Sequence, residues 1–103
     1  MEWNNNDAGD WRVVASAYWR NLDNYAGLEA RAGIYIFANS ALQVKYIGKA
    51  GAGRLVIEIS SAISRGKDYG ATQVKALYTN SDSNAQSLER DLINKYNPPY
   101  NLV

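Results

Sequence analysis

With 103 residues, 47% apolar and 20% charged, the chain has the size and balance of one soluble globular domain, and disordered or fibrous classes are excluded. It holds neither cysteine nor histidine. That removes disulfides, thiolate zinc sites, cysteine nucleophiles and imidazole chemistry, and leaves Tyr, Lys, Arg, Asp, Glu, Ser and Thr to carry any catalysis. The net charge is only +1, yet residues 33–78 carry six basic side chains (Lys45, Lys49, Arg54, Arg65, Lys67, Lys75) against two acidic ones (Glu58, Asp68), a local balance of +4. Such a segment suits a phosphate-facing surface, and equally a solvated lysine-rich face.

Residues 1–10 are polar and asparagine-rich, with no basic stretch leading into an apolar run, and no segment approaches membrane-spanning length. A cytoplasmic protein without membrane contact is expected. Over residues 10–22, Trp11, Val14, Tyr18, Trp19 and Leu22 recur at offsets of three and four, which predicts an amphipathic helix whose tryptophans anchor the core. The period then changes to two, with Ile34, Ile36 and Ala38 opposite Tyr35 and Phe37, and residues 34–38 are predicted as a strand. Asn39, Ser40 and Ala41 read as a turn into a second strand over 44–48. If Asn39 and Leu42 close it tightly, Tyr35 stands directly opposite Tyr46 and both phenols share a face.

Gly51 and Gly53 punctuate a bend before residues 54–64, where Leu55, Val56, Ile59, Ala62 and Ile63 have helical spacing. The β-branched Val56, Ile57 and Ile59 leave a short strand open as the alternative. Residues 65–70 read as a polar loop and 73–79 as a third strand. Ser83 with Gln86 fits a capping box opening a helix that runs to about Lys95 with Leu88, Leu92 and Tyr96 buried, and Pro98 and Pro99 stop it. The fold class is therefore α+β: a small three-stranded antiparallel sheet flanked by helices, with an extra N-terminal helix. Residues 1–32 are an extension and residues 33–103 the domain proper.

Gly33-Ile34-Tyr35 followed by Tyr46-Ile47-Gly48-Lys49, then Arg54, then Glu89 in a late helix, then Asn97-Pro98-Pro99-Tyr100-Asn101, are five landmarks in one order. In these the chain resembles the GIY-YIG nuclease family, and the strand, strand, helix, strand, helix order over residues 33–101 is similar to that family's. The resemblance implies hydrolysis of DNA phosphodiester bonds with one divalent cation, Mg2+ or Mn2+. It implies catalytic roles for Tyr35, Tyr46, Lys49, Arg54 and Glu89, with Glu89 as the metal ligand and Gly33, Gly48 and Asn101 in support.

Each residue type suits that task. A carboxylate is a hard ligand for magnesium, and a guanidinium can fork onto a phosphate oxygen. A tyrosine becomes a useful base only if cations such as Lys49 and Arg54 lower its pKa. Gly48 either clears the way for a phosphate or simply ends a strand, and Asn101 either braces the site or turns the chain. Lys45, Arg65, Lys67, Lys75 and Tyr69 are expected to face DNA. Three departures from the family's pattern stand out. Arg54 follows the YIG motif closely, which keeps Arg65 as an alternative arginine. Glu58 occupies a position where a histidine or tyrosine is usual. No DNA-recognition domain accompanies the motifs. A DNA-binding module of the same fold without turnover, and an interaction domain built on Trp11 and Trp19, are the competing readings, and the oligomeric state is open between monomer and homodimer.

Overall fold

The computed structural model describes residues 1–102, and Val103 lies outside the described residues. In chain order the elements are β1 (Val13–Ser16), β2 (Arg20–Asn21), β3 (Gly33–Ala38), β4 (Val44–Ala50), α1 (Leu55–Ser64), β5 (Gln73–Thr79) and α2 (Asp82–Tyr96). Short 3-10 turns occur at Asn5–Gly9, Leu22–Gly27 and Pro99–Asn101. The sheet runs β1-β5-β3-β4, with β2 joining β5 beyond the end of β1, and the pairings are antiparallel.

Every residue of β3 is buried, because both faces of the central strand are covered. Side chains alternate along it. Tyr35 and Phe37 enter a core with Leu55, Ile59 and Ala62 of α1, whereas Ile34 and Ile36 enter a second core with Ala85, Leu88, Leu92 and Tyr96 of α2. The helical spacing of residues 54–64 is realised as α1. No described helix is long and apolar enough to cross a membrane.

The sheet has five strands rather than three, because the expected helix over residues 10–22 is replaced by β1 and β2. Three of the five side chains that drew the helical stripe point outward, Trp11 (79% exposed), Val14 (50%) and Tyr18 (91%), while Leu22 is buried. Trp19 instead meets Trp3 edge-on. Without β1 and β2 the outer edge of β5 would leave its N–H and C=O groups unpaired, and pairing with that edge outweighs local spacing. Arg12 locks the segment down. It is buried and donates to both carboxylate oxygens of Asp10 at 2.9 Å, to Asp91 at 2.9 Å and to Ser87 at 3.1 Å, tying β1 to α2.

Two boundaries also differ. The hairpin loop is longer than a tight turn: Asn39 accepts from the backbone N–H of Ala41 and Gln43, Leu42 takes a left-handed φ of 60°, and the pairing shifts between Phe37 and Ala38. Tyr46 consequently faces Phe37, and Tyr35 faces Gly48. The displacement is by two residues, an even number, so both phenols remain on one face. At α2 the cap is Ser81, whose hydroxyl accepts from the Asn84 N–H at 3.0 Å, so Ser83 lies inside the helix and the Ser83–Gln86 capping box does not form. Asn97, in the left-handed region at φ 48°, ends α2.

Lys75, expected to face DNA, is 3% exposed and donates to the Ala17 carbonyl at 2.9 Å in the break between β1 and β2. Burial disfavours its ammonium and holds its pKa below the ordinary lysine value of 10.5. On raising the pH through that window the folded state gives up its proton before the unfolded state does, so stability rises with pH. Paired thermal melts should show wild type gaining on Lys75→Met as pH climbs from neutrality toward 10.5. A gap independent of pH would show that the ammonium is not desolvated.

Candidate functional site

The motif residues converge on β4, the outermost strand of the sheet, and they do so from both of its faces. On the α1 face the ring of Tyr35 lies across Gly48: a Cβ at residue 48 would stand 2.1 Å from Tyr35 Cζ and 2.3 Å from its hydroxyl. The glycine is therefore required by the tyrosine opposite it, a reason neither of the sequence readings of Gly48 contained. Tyr46 packs beside the same ring at 6.1 Å between centroids, with Phe37 completing the cluster. Gly33 is equally constrained, since a Cβ there would meet the Leu77 carbonyl oxygen at 2.2 Å.

Tyr35 is 1% exposed and donates to the Glu58 carbonyl at 3.3 Å. Burial pushes its pKa far above the ordinary phenol value, and the neighbouring Tyr46 and Glu58 push the same way, opposed only by the charge of Arg65. Tyr35 is thus a protonated phenol. The expected help from Lys49 and Arg54 in making it basic is absent, because Lys49 points to the other face and Arg54 is paired elsewhere. Tyr46 is the phenol with solvent access.

On the α2 face Glu89 is half-buried, and burial raises its pKa while the charge of Lys49 pulls it down. It makes no side-chain hydrogen bond or ion pair of its own among the described residues. A carboxylate kept partly dry with unused lone pairs fits a divalent cation. Among the described residues no three metal-ligating side chains cluster, so this donor set suits a cation that keeps most of its waters, as magnesium does, and not a caged transition metal. Lys49 reaches Asp82 at 3.4 Å. Asp82 was not anticipated. Its signal was its place in the first turn of a capped helix, where acids gather.

Arg54 occupies the N-cap position of α1, more than half exposed, with its guanidinium turned onto Glu58 at 3.0 Å. The unusual glutamate is therefore the arginine's partner one turn along the helix. Arg65, at the C-terminal cap of α1, is exposed, and its charge reaches Tyr35. Lys67 sits 5.7 Å above the Tyr46 ring and donates to the Tyr100 carbonyl at 3.1 Å. Tyr69 is 75% exposed and edges onto Tyr100, and Lys45 is partly exposed where the β3–β4 pairing slips. Lys45, Arg65, Lys67 and Tyr69 thus have solvent access, and Lys75 does not.

Asn101 acts on the backbone. Its side-chain oxygen accepts from the Ile47 N–H at 2.9 Å and its amide donates to the Ile47 carbonyl at 2.8 Å, so one side chain stands in for a neighbouring strand at the open edge of β4. Farther along, the Val44 N–H donates to the Met1 carbonyl and Glu2 bridges to Gln43.

Residues 31–102 match the family described as the UvrC-like GIY-YIG domain. Among solved structures, the chain is similar to the GIY-YIG N-terminal endonuclease domain of UvrC from Thermotoga maritima bound to its catalytic divalent cation, magnesium. The two share 27% identity with a TM-score of 0.65, over 76% of this chain and 91% of that one. A variant of that domain with an asparagine replaced by alanine gives 27% and 0.65 over 76% and 90% of the two chains. One with a tyrosine replaced by phenylalanine gives 26% and 0.64 over 76% and 91%. No curated protein matches the chain in sequence.

The contact between Tyr35 and Gly48 yields a direct test. Gly48→Ala should lower the unfolding free energy by about 1–3 kcal/mol in urea titrations, because the ring has no space into which to retreat. In a Tyr35→Ala background the same change should cost markedly less. Additive costs would show that the ring is not what forbids a side chain at 48.

Proposed function

The chain belongs to the GIY-YIG family, and from that premise we propose that it is a metal-dependent endonuclease hydrolysing DNA phosphodiester bonds. The observation that carries this reading is Glu89, a half-buried carboxylate without a hydrogen-bond or ion-pair partner among the described residues, beside Lys49 at the edge of β4. Glu89 would hold one Mg2+ or Mn2+. When bound, the cation supplies Lewis-acid stabilisation of the charge that builds on the phosphate oxygens. The solved relatives, bound to a catalytic divalent cation, support the choice of such a cation as the partner.

The remaining work falls to the chain's own side chains. Hydrolysis forms a bond from a water oxygen to phosphorus and breaks the bond from phosphorus to one sugar oxygen, the attacking water giving up a proton to solvent and the leaving oxygen taking one from it. Tyr46, the partly exposed phenol, orients the water by accepting its hydrogen bond, and Tyr35 stays protonated and holds Tyr46 in place through ring contact. Lys49 balances the charge beside Glu89. Arg54 stabilises the phosphate, which requires its guanidinium to exchange Glu58 for a phosphate oxygen; an exposed ion pair of this kind is worth only about 0.3–0.5 kcal/mol and is readily traded. Lys45, Arg65, Lys67 and Tyr69 contact the DNA backbone around the cut.

A second reading, DNA binding without turnover, is favoured by the Arg54–Glu58 pair. Nicking of supercoiled plasmid in Mg2+ or Mn2+ decides between them. Wild type should nick, Glu89→Gln should not, and Arg54→Ala should fall by about 10²-fold or more. Glu58→Gln, which frees Arg54, should retain or raise the rate. Retention of plasmid without nicking by wild type would establish the binding module instead, and equal nicking by wild type and Glu89→Gln would remove Glu89 from the site.

A further inference from the structure

A cleft of about 250 Å³ opens on the α1 face of the sheet, at the end away from β4, where β1 and β2 meet the turn at Leu22–Gly27. Its walls include Arg20, Arg31, Tyr78, Ser16, Gly27 and Glu29. The chemistry is dominated by donors. Arg20 is half-buried, with one long hydrogen bond of 3.4 Å to the Asn24 carbonyl, a buried Nε without a partner, and no carboxylate paired with it among the described residues. A cation kept partly out of water without a counterion is costly unless an anion joins it.

The second guanidinium, Arg31, lies over the Tyr78 ring at 4.8 Å and pairs with Glu29 at 3.3 Å, both side chains being largely solvated, so the pair is weak. Tyr78 accepts from the Glu29 N–H at 3.2 Å, which leaves its own hydroxyl proton available. Gly27 makes the space for Arg20: a Cβ there would stand 2.7 Å from its Nη1. Two guanidiniums, a phenol and the Ser16 hydroxyl around one small cleft form the donor set of a phosphate site.

The cleft is also aligned with the candidate active site. Gly33 pairs with Tyr78 on one side and with Ala50 on the other, so Tyr78 and Ala50 lie level across the sheet, two strand spacings or about 10 Å apart. The intervening segment is bonded to the bend that carries Arg54, with the Gly53 N–H donating to the Ala30 carbonyl at 2.7 Å. Ser16, Arg20 and Gly27 lie outside the residues matched to the family. We propose that this cleft binds a phosphate group of the DNA strand flanking the one to be cut, with Arg20 and Arg31 as its ligands. The assignment to DNA rests on the endonuclease reading, whereas the phosphate chemistry does not.

The test uses the Glu89→Gln chain in chelator, so that no cleavage intervenes, with a fluorescent DNA duplex followed by anisotropy across a salt series. Arg31→Gln and Gly27→Ala, the latter displacing Arg20 without removing it, should each weaken binding about tenfold and reduce the salt slope by about 1. In parallel, inorganic phosphate should shift the arginine Nε–H resonances of the unsubstituted cleft and not those of Gly27→Ala. Unchanged DNA affinity and slope in both variants, while the parent binds DNA, overturns the proposal. A parent that binds no DNA but shows the phosphate shifts defeats the endonuclease reading and leaves a site for free phosphate or a nucleotide. Absence of both signals overturns the site itself.

Discussion

The packing on which the site depends is that of an aromatic ring on a residue with no side chain. Tyr35 lies on Gly48, and a single methyl at 48 would penetrate the ring at 2.1 Å from Cζ. With the ring buried over Gly48, β3 and β4 pair residue 35 with residue 48, and Tyr46 lies beside the same ring. The same register directs Ile47 and Lys49 to the opposite face, where α2 brings Glu89. The two halves of the candidate site are thus coupled through one strand that both faces share, and the coupling is steric rather than electrostatic.

Around that strand the protein uses charge mainly as fastening. Arg12 joins β1 to α2, and the Tyr96 hydroxyl accepts from the Asn4 N–H at 2.9 Å and bonds Asp7, which also receives Lys95. Trp3 stacks on Tyr96 with ring centroids 5.2 Å apart. The groups that remain poorly satisfied, Glu89 and Arg20, stand out against this thorough pairing. In a fold that pairs its buried polar groups elsewhere, incompletely paired groups mark places where something else binds.

Much of this was legible in the chain itself. From Gly33 to Tyr96 the elements follow from periodicity and glycine punctuation, since each is set by which face it buries. The N-terminal segment was not legible, because its spacing of Trp11, Val14 and Tyr18 fits a helix while its fate is decided by the unpaired edge of β5, distant in sequence. The hairpin register was missed by two, owing to an Asn39-organised loop that no spacing rule reveals, yet parity preserved the shared face. The burial of Lys75, the protonated state of Tyr35 and the capture of Arg54 by Glu58 depend on which groups approach in space. The motif residues were found as a set, but the contacts that define their chemistry emerge only in three dimensions.

The open edge of β4 has a kinetic consequence. It is closed by Met1 and Glu2 at one end and by Asn101 at Ile47, partners separated from it by some 40 to 54 positions along the chain. Contacts of such long range form late, after the entropy of closing large loops has been overcome. The hairpin that carries Tyr35 and Tyr46 can therefore assemble early while its outer rim stays ragged. The candidate site is complete only once both chain ends have docked on β4.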